Sequence, residues 1–157
     1  MLLRGIVWSF LFAVIRVSAD LMRLQPLKGY NAFGHVFETG KRFAGGSVTA
    51  FTVFGDPAKT VQKQQLLRFG VTARKRTRPA VLRNRIKRLL RESLRQIAHD
   101  YDRAGEVLPF QEIVLIWNAV PRKPSLLRLH AVLPAVRDVV DRATRYYRKE
   151  YSDGNAL

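Results

Sequence analysis

Pro79-Ala80-Val81-Leu82-Arg83-Asn84-Arg85-Ile86-Lys87-Arg88-Leu89-Leu90-Arg91-Glu92 is the stretch on which the reading of this chain turns. At about 100° per residue, Leu82, Ile86, Leu89, Leu90, Ser93, Leu94 and Ile97 fall on one side of a helix. Asn84, Lys87, Arg88, Arg91 and Arg95 fall on the other side, and Arg83 and Arg85 lie on the two borders. Such a helix docks on a core and still holds cations outward, where phosphate is the natural partner. Glu92 is the one acid in the run, so pairing along the helix does not account for the arginines. Pro79 suits the first helical turn, where its missing N–H costs little, and Thr77 is the candidate N-cap. The helix is expected to reach about His99 and to end between Asp100 and Gly105.

Upstream of it, Leu66 to Thr72 reads as a strand running into the cluster Arg74-Lys75-Arg76. Ser47 to Phe54 alternates and is rich in β-branched and aromatic residues, which predicts another strand. Ala58 to Gln65 between them reads as a hairpin loop. Gly29 to Glu38 carries Tyr30, Phe33, Val36 and Phe37 at helical spacing, with Gly40 as a C-cap. Downstream, Glu112 to Trp117 is nearly continuous in apolar residues and suits a strand buried on both faces. Pro121 and Pro124 mark a loop, and Leu126 to Val132 an extra helical turn. A last helix follows, with Pro134 in its first turn and Val136, Val139, Val140, Ala143 and Tyr147 as its stripe. The sum is an α+β layer, helices on a mainly antiparallel sheet.

With 157 residues, one domain is expected. The charge is far from ordinary: 28 Lys plus Arg against 12 Asp plus Glu, a formal +16. It concentrates between Arg74 and Arg95, which points to a polyanionic partner held in a salt-dependent way. The absence of cysteine removes disulfides, thiol catalysis and Cys-based zinc sites, and fits a reducing compartment. Met1 to Ala19 reads like a signal peptide, with Arg4, the apolar run Gly5 to Ile15, and Val17-Ser18-Ala19. That run is about half of the roughly 20 residues a membrane span needs. A secretory signal, an amphipathic membrane anchor and upstream sequence from a mis-assigned start compete. The last is favoured, because Met22 opens a segment of different character. The expected organisation is therefore an extension over 1–21, one domain over 22–150 and a disordered tail over 151–157.

No catalytic constellation is visible. His35, His99 and His130 lie in separate elements without ligand spacing and read as incidental. Asp100 and Asp102 share a turn. Asp138 and Asp141 share a helix surface with Arg137, Arg142 and Arg145, and neither pair resembles a two-metal carboxylate set. No serine sits in a nucleophile elbow, and no Gly-rich loop follows a strand in phosphate-loop register. What remains is RNA binding: cations for phosphates, and Phe33, Phe37 and Phe51 as candidate stacking faces. By pattern alone those three aromatics belong to the core.

Ala80 to Glu92 resembles the signature of the bacterial ribonuclease P protein subunit: Ala-Val, any residue, Arg-Asn-Arg, an aliphatic, Lys-Arg, two more residues, then Arg. Leu27 to Phe43 resembles the family's first helix and the glycine after it, and Gly70-Val71-Thr72-Ala73-Arg74-Lys75 the strand before the basic helix. The likeness covers roughly Leu24 to Lys149. It implies an α-β-β-β-α-β-α sandwich with a left-handed βαβ crossover, the missing strand falling near Phe43 to Gly46. It implies a holoenzyme in which the RNA subunit, with Mg²⁺ bound mainly by that RNA, hydrolyses precursor tRNA to release the 5′ leader. No catalytic residue and no metal ligand are then expected in this chain. By position, Arg83, Asn84, Arg85, Lys87, Arg88 and Arg91 become the set facing the RNA subunit. Phe33, Phe37, Phe51, Arg74, Lys75 and Arg76 become the leader cleft. The partners implied are the catalytic RNA and precursor tRNA in the cytoplasm, without stable membrane association. Many members carry Gly-Asn before Ala-Val where this chain has Arg78-Pro79, so its turn into the helix must differ. The rival readings are a structural, ribosomal-type RNA-binding protein and a polybasic membrane-surface protein anchored by 1–19.

Overall fold

The computed structural model describes residues 22–55 and 65–154, so the expectations for 1–21 and for most of the loop after Phe54 lie outside it. The elements are β1 (Met22–Pro26), α1 (Tyr30–Thr39), β2 (Lys41–Ala44), β3 (Val48–Phe54), β4 (Gln65–Ala73), α2 (Ala80–Arg103), β5 (Phe110–Trp117), a 3-10 turn (Pro124–Leu126) and α3 (Leu129–Gly154). The strands form one sheet in the order β1-β4-β5-β3-β2.

β5 sits at its centre because both of its faces are apolar. Phe110, Ile113, Leu115 and Trp117 enter the large core under α2 and α3. Val114 and Ile116 enter a smaller cluster under α1 with Leu27, Val36, Phe33 and Phe51. The sheet is thus sandwiched between α1 and the α2–α3 pair. α2 anchors through Leu82, Ile86, Leu90, Leu94 and Ile97, all buried. Each such side chain contributes about 1.5–3 kcal/mol on burial, enough to fix which side of the helix faces out. α3 docks by Val132, Val136, Val139, Val140 and Ala143.

The sheet is mixed, which corrects the mainly antiparallel expectation. β2–β3 and β3–β5 are antiparallel, but β1–β4 and β4–β5 are parallel. Parallel neighbours need a long crossover, and α2 supplies it between β4 and β5. β3 and β4 are therefore not hairpin partners, because β5 lies between them. The short strand expected near Phe43 to Gly46 is Lys41–Ala44. β1 was not foreseen. Met22 and Leu24 reach the main core, Arg23 and Gln25 alternate away from it, and pairing with β4 from Met22↔Gln65 to Pro26↔Phe69 completes the strand.

The helix termini also differ from expectation. Pro79 is the residue before α2, with extended backbone, and no side chain caps the helix. Thr77 is buried in the preceding turn instead. Asp100 and Asp102 belong to the last turn of α2 rather than to a loop. α3 starts before Pro134, which lies inside it, and continues to Gly154, past Ser152 where the tail was expected to begin.

Candidate nucleic-acid interface

The outward side of α2 carries the predicted cations, but they do not all do the same thing. Asn84, Arg88 and Arg91 are exposed, as is Arg95, and Lys87 is half-buried beside them. Arg95 is drawn toward Glu92 at 3.5 Å; Lys87, Arg88 and Arg91 form no ion pair among the described residues. The two border arginines turn back onto the protein. Arg83 donates from Nη1 to the carbonyl of Thr77 at 3.1 Å. Arg85 donates from Nη2 to the carbonyl of Leu127 at 2.9 Å. A helical wheel places both residues at the rim but cannot show that backbone carbonyls wait there.

Arg74, Lys75 and Arg76 are exposed on the turn between β4 and α2. Lys75, Arg78, Pro79, Ala80 and Arg83 line an open pocket of about 630 Å³ where α2 begins. The Arg78–Pro79 peptide is cis, and the carbonyl of Pro79 accepts from the N–H of Leu82 at 3.0 Å and of Arg83 at 3.3 Å. The first turn of α2 holds no acid, so its positive end adds to the surrounding cations.

The predicted aromatics gather on the α1 face of the sheet. Arg42, Phe51, Val114 and Gly70 form one row across β2, β3, β5 and β4. Phe37 stands edge-on to Phe51, ring centroids 5.1 Å apart, and is 40% exposed. Phe33 is half-buried and lies directly over Gly70, so it serves mainly as packing. Phe37 is thus the exposed ring of the three, while Phe33 and Phe51 are both half-buried in the cluster under α1. From Gly70 to Arg74 along β4 is four residues, or about 13 Å, which sets the distance from the aromatic row to the basic turn. Half-buried Thr72 and Ile116 pave the interval.

Two features escaped the sequence reading. Glu112, almost fully buried, is held by Arg68 at 2.7 Å and by His35 Nδ1 at 3.1 Å. His35 is therefore not incidental: it ties α1 to β5 across 77 residues of sequence. Arg42 shares its side of the sheet with Phe51. The acids of α3 are likewise engaged differently than expected. Asp138 pairs with Arg142 at 3.0 Å, but Arg137 reaches Asp100 on α2, and Asp141 accepts from Tyr101 at 3.1 Å. Among the described residues no group of three His, Asp or Glu converges as a metal site would require.

The fold recurs in known structures. The RNase P protein of Staphylococcus aureus superposes with a TM-score of 0.53 at 19% identity, covering 75% of this chain and 94% of that one. The RNase P protein from Thermotoga maritima gives 0.50 at 20% identity, covering 75% and 96%. At such identities the likeness is one of fold. No curated protein matches the sequence. A family model described as Ribonuclease P matches residues 21–130. The chain belongs to the ribonuclease P protein family. Membership makes it a protein subunit of the ribonuclease P holoenzyme, with an RNA-binding role in tRNA processing. The match spans every strand together with α1 and α2, so both the basic helix and the aromatic row belong to the family region.

Proposed function

We propose that the outward cations of α2 dock this subunit on the catalytic RNA of ribonuclease P. The α1 face of the sheet then receives the single-stranded 5′ leader of precursor tRNA. The observation that carries this is the outward cationic side of α2, anchored behind by a side that is apolar except for Ser93. Lys87, Arg88 and Arg91 neutralise phosphates of one polyanion and allow a second to approach, releasing counterions as they do so. Phe37 and Phe51 supply faces for unpaired bases, Arg42 supplies a phosphate contact at the β2 end of the row, and Arg74 to Arg76 supply others on the turn beyond β4. Hydrolysis of the phosphodiester is assigned to the RNA, with the Mg²⁺ held there. Beside the aromatic row, the Glu112 carboxylate is committed to Arg68 and His35. Among the described residues no helix is long and apolar enough to cross a membrane, and we place the working complex in the cytoplasm.

The test is cleavage of precursor tRNA at low Mg²⁺ by a bacterial ribonuclease P RNA, with and without the full-length protein. Faster cleavage at the 5′ mature end that needs both components is the expected result. A protein that binds the RNA yet never stimulates cleavage would overturn the proposal.

A further inference from the structure

The loop from Pro121 to Arg128, between β5 and α3, is basic in its own right: Arg122, Lys123 and Arg128 are exposed. None of the three takes part in an ion pair among the described residues. The loop is not free to wander. The N–H of Leu126 bonds the carbonyl of Lys123 at 3.1 Å, and the side chain of Leu127 is buried in the main core. Arg85 then closes on it from α2, with Nη2 at 2.9 Å from the carbonyl of Leu127 and 3.5 Å from that of Ser125. A guanidinium nitrogen carries two N–H donors, so Nη2 alone serves both carbonyls. Two carbonyls of a turn are thereby fixed against the rim of the helix that bears Asn84, Arg88 and Arg91.

We infer that Arg85 is a positioning residue: it straps the 121–128 loop to α2, so that Arg122, Lys123 and Arg128 extend the RNA-binding face and take phosphates of the same RNA. This inference rests on α2 being the RNA-facing helix. The resemblance had given Arg85 a direct RNA contact and had given the loop no role. The geometry assigns Arg85 first to the backbone of Leu127 and brings in three cations from a segment about 40 residues downstream. Arg83 makes the mirror arrangement at the other rim, holding the carbonyl of Thr77 in the turn that carries Arg74 to Arg78.

The experiment measures binding of the full-length protein to a bacterial ribonuclease P RNA over a salt series. Each phosphate contact contributes about 0.7–0.9 to the slope of log K against log salt. Arg122→Ala, Lys123→Ala and Arg128→Ala together should lower the slope by about two to three without loss of helix content. Arg85→Lys keeps the charge but puts a shorter side chain where Nη2 reached the two carbonyls. It should lower the slope although the net charge is unchanged, and should speed amide exchange across 121–128. Arg88→Ala with Arg91→Ala is the reference arm. If that pair lowers the slope and the loop triple does not, the loop proposal is overturned while α2 stays the RNA face. If neither set lowers it, both readings fall. If the triple lowers the slope but Arg85→Lys changes neither slope nor loop exchange, the strapping role is overturned.

Discussion

Replacing Gly70 by alanine would drive α1 away from the sheet. Gly70 lies in β4 beneath the ring of Phe33, and a Cβ built there falls 2.5 Å from Phe33 Cε1 and 2.7 Å from Cζ. Comfortable carbon contacts lie at about 3.5–4.0 Å, so the overlap is about 1 Å. The Cβ would also meet Leu27 Cδ1 at 3.4 Å, which closes a simple sideways escape. Overpacking of this kind costs about 1–3 kcal/mol. For a chain of 157 residues the unfolding entropy corresponds to about 3 °C per kcal/mol, giving an expected fall in Tm of about 3–9 °C. Thermal unfolding followed by circular dichroism would be run on the parent, Gly70→Ala, Phe33→Ala and the double variant. Phe33→Ala destabilises by itself, but it clears the space above position 70. In that background Gly70→Ala should cost almost nothing, leaving a coupling of about 1–3 kcal/mol. An equal Tm loss in both backgrounds, or none in either, refutes the contact as the cause.

Arg68→Ala leaves the buried Glu112 carboxylate with His35 alone. The cost should be about 1–2 kcal/mol, below that of a fully buried pair because Arg68 is half exposed. An unchanged urea midpoint would contradict this. Phe37→Ala should cost the fold only about 0.5–1.5 kcal/mol. It should weaken precursor tRNA binding roughly five- to hundredfold through the lost stacking face. Anisotropy with leader-bearing and leaderless tRNA separates the effects, and an equal loss on both removes Phe37 from the leader site. Burial, chiefly, raises the Tyr101 phenol above its usual 10.0, with the nearby Asp141 adding to the rise. The folded protein holds this proton more tightly than the unfolded chain does. Its contribution is therefore full below pH 10.0 and is lost as pH climbs through the raised value. The stability gap between the parent and Tyr101→Phe should shrink in that alkaline range, and a gap that stays constant in denaturant titrations refutes it.

The readability of this chain followed where each element draws its stability. α2 and β5 were legible because their own side chains carry the signal, a stripe of helical period in one and an apolar run in the other. β1 was not, since Met22 to Pro26 is short, lacks β-branched residues and exists through its pairing with β4. The sheet order was hidden for a related reason: adjacency in sequence suggested that β3 and β4 pair, whereas the α2 crossover carries β5 between them. In the interface, the helical wheel separated the outward cations from the core side and put Arg83 and Arg85 at the rims. It could not show that Thr77 and Leu127 offer carbonyls there, because a backbone acceptor leaves no mark in sequence. Phe33 and Phe37 are four residues apart on one helix, and only the glycine beneath the first distinguishes packing from presentation.

The two faces of the sheet are held very unequally. Behind it, α2 and α3 lock into a core of more than twenty buried side chains, whereas α1 rests on a cluster whose fully buried members are Leu27, Val36 and Val114. Local opening follows the number of buried apolar contacts that must break. The molecule is therefore a stiff frame with a compliant jaw. The basic helix belongs to the frame, which keeps its cations at fixed spacing for the docking proposed above. α1 belongs to the jaw, secured by Val36, by the Phe33 ring over a glycine and by the Glu112 clasp, and it can give by fractions of an ångström without loosening the frame. In the proposed role as the leader site, a jaw of that kind would tolerate strands of differing base sequence, trading discrimination for breadth.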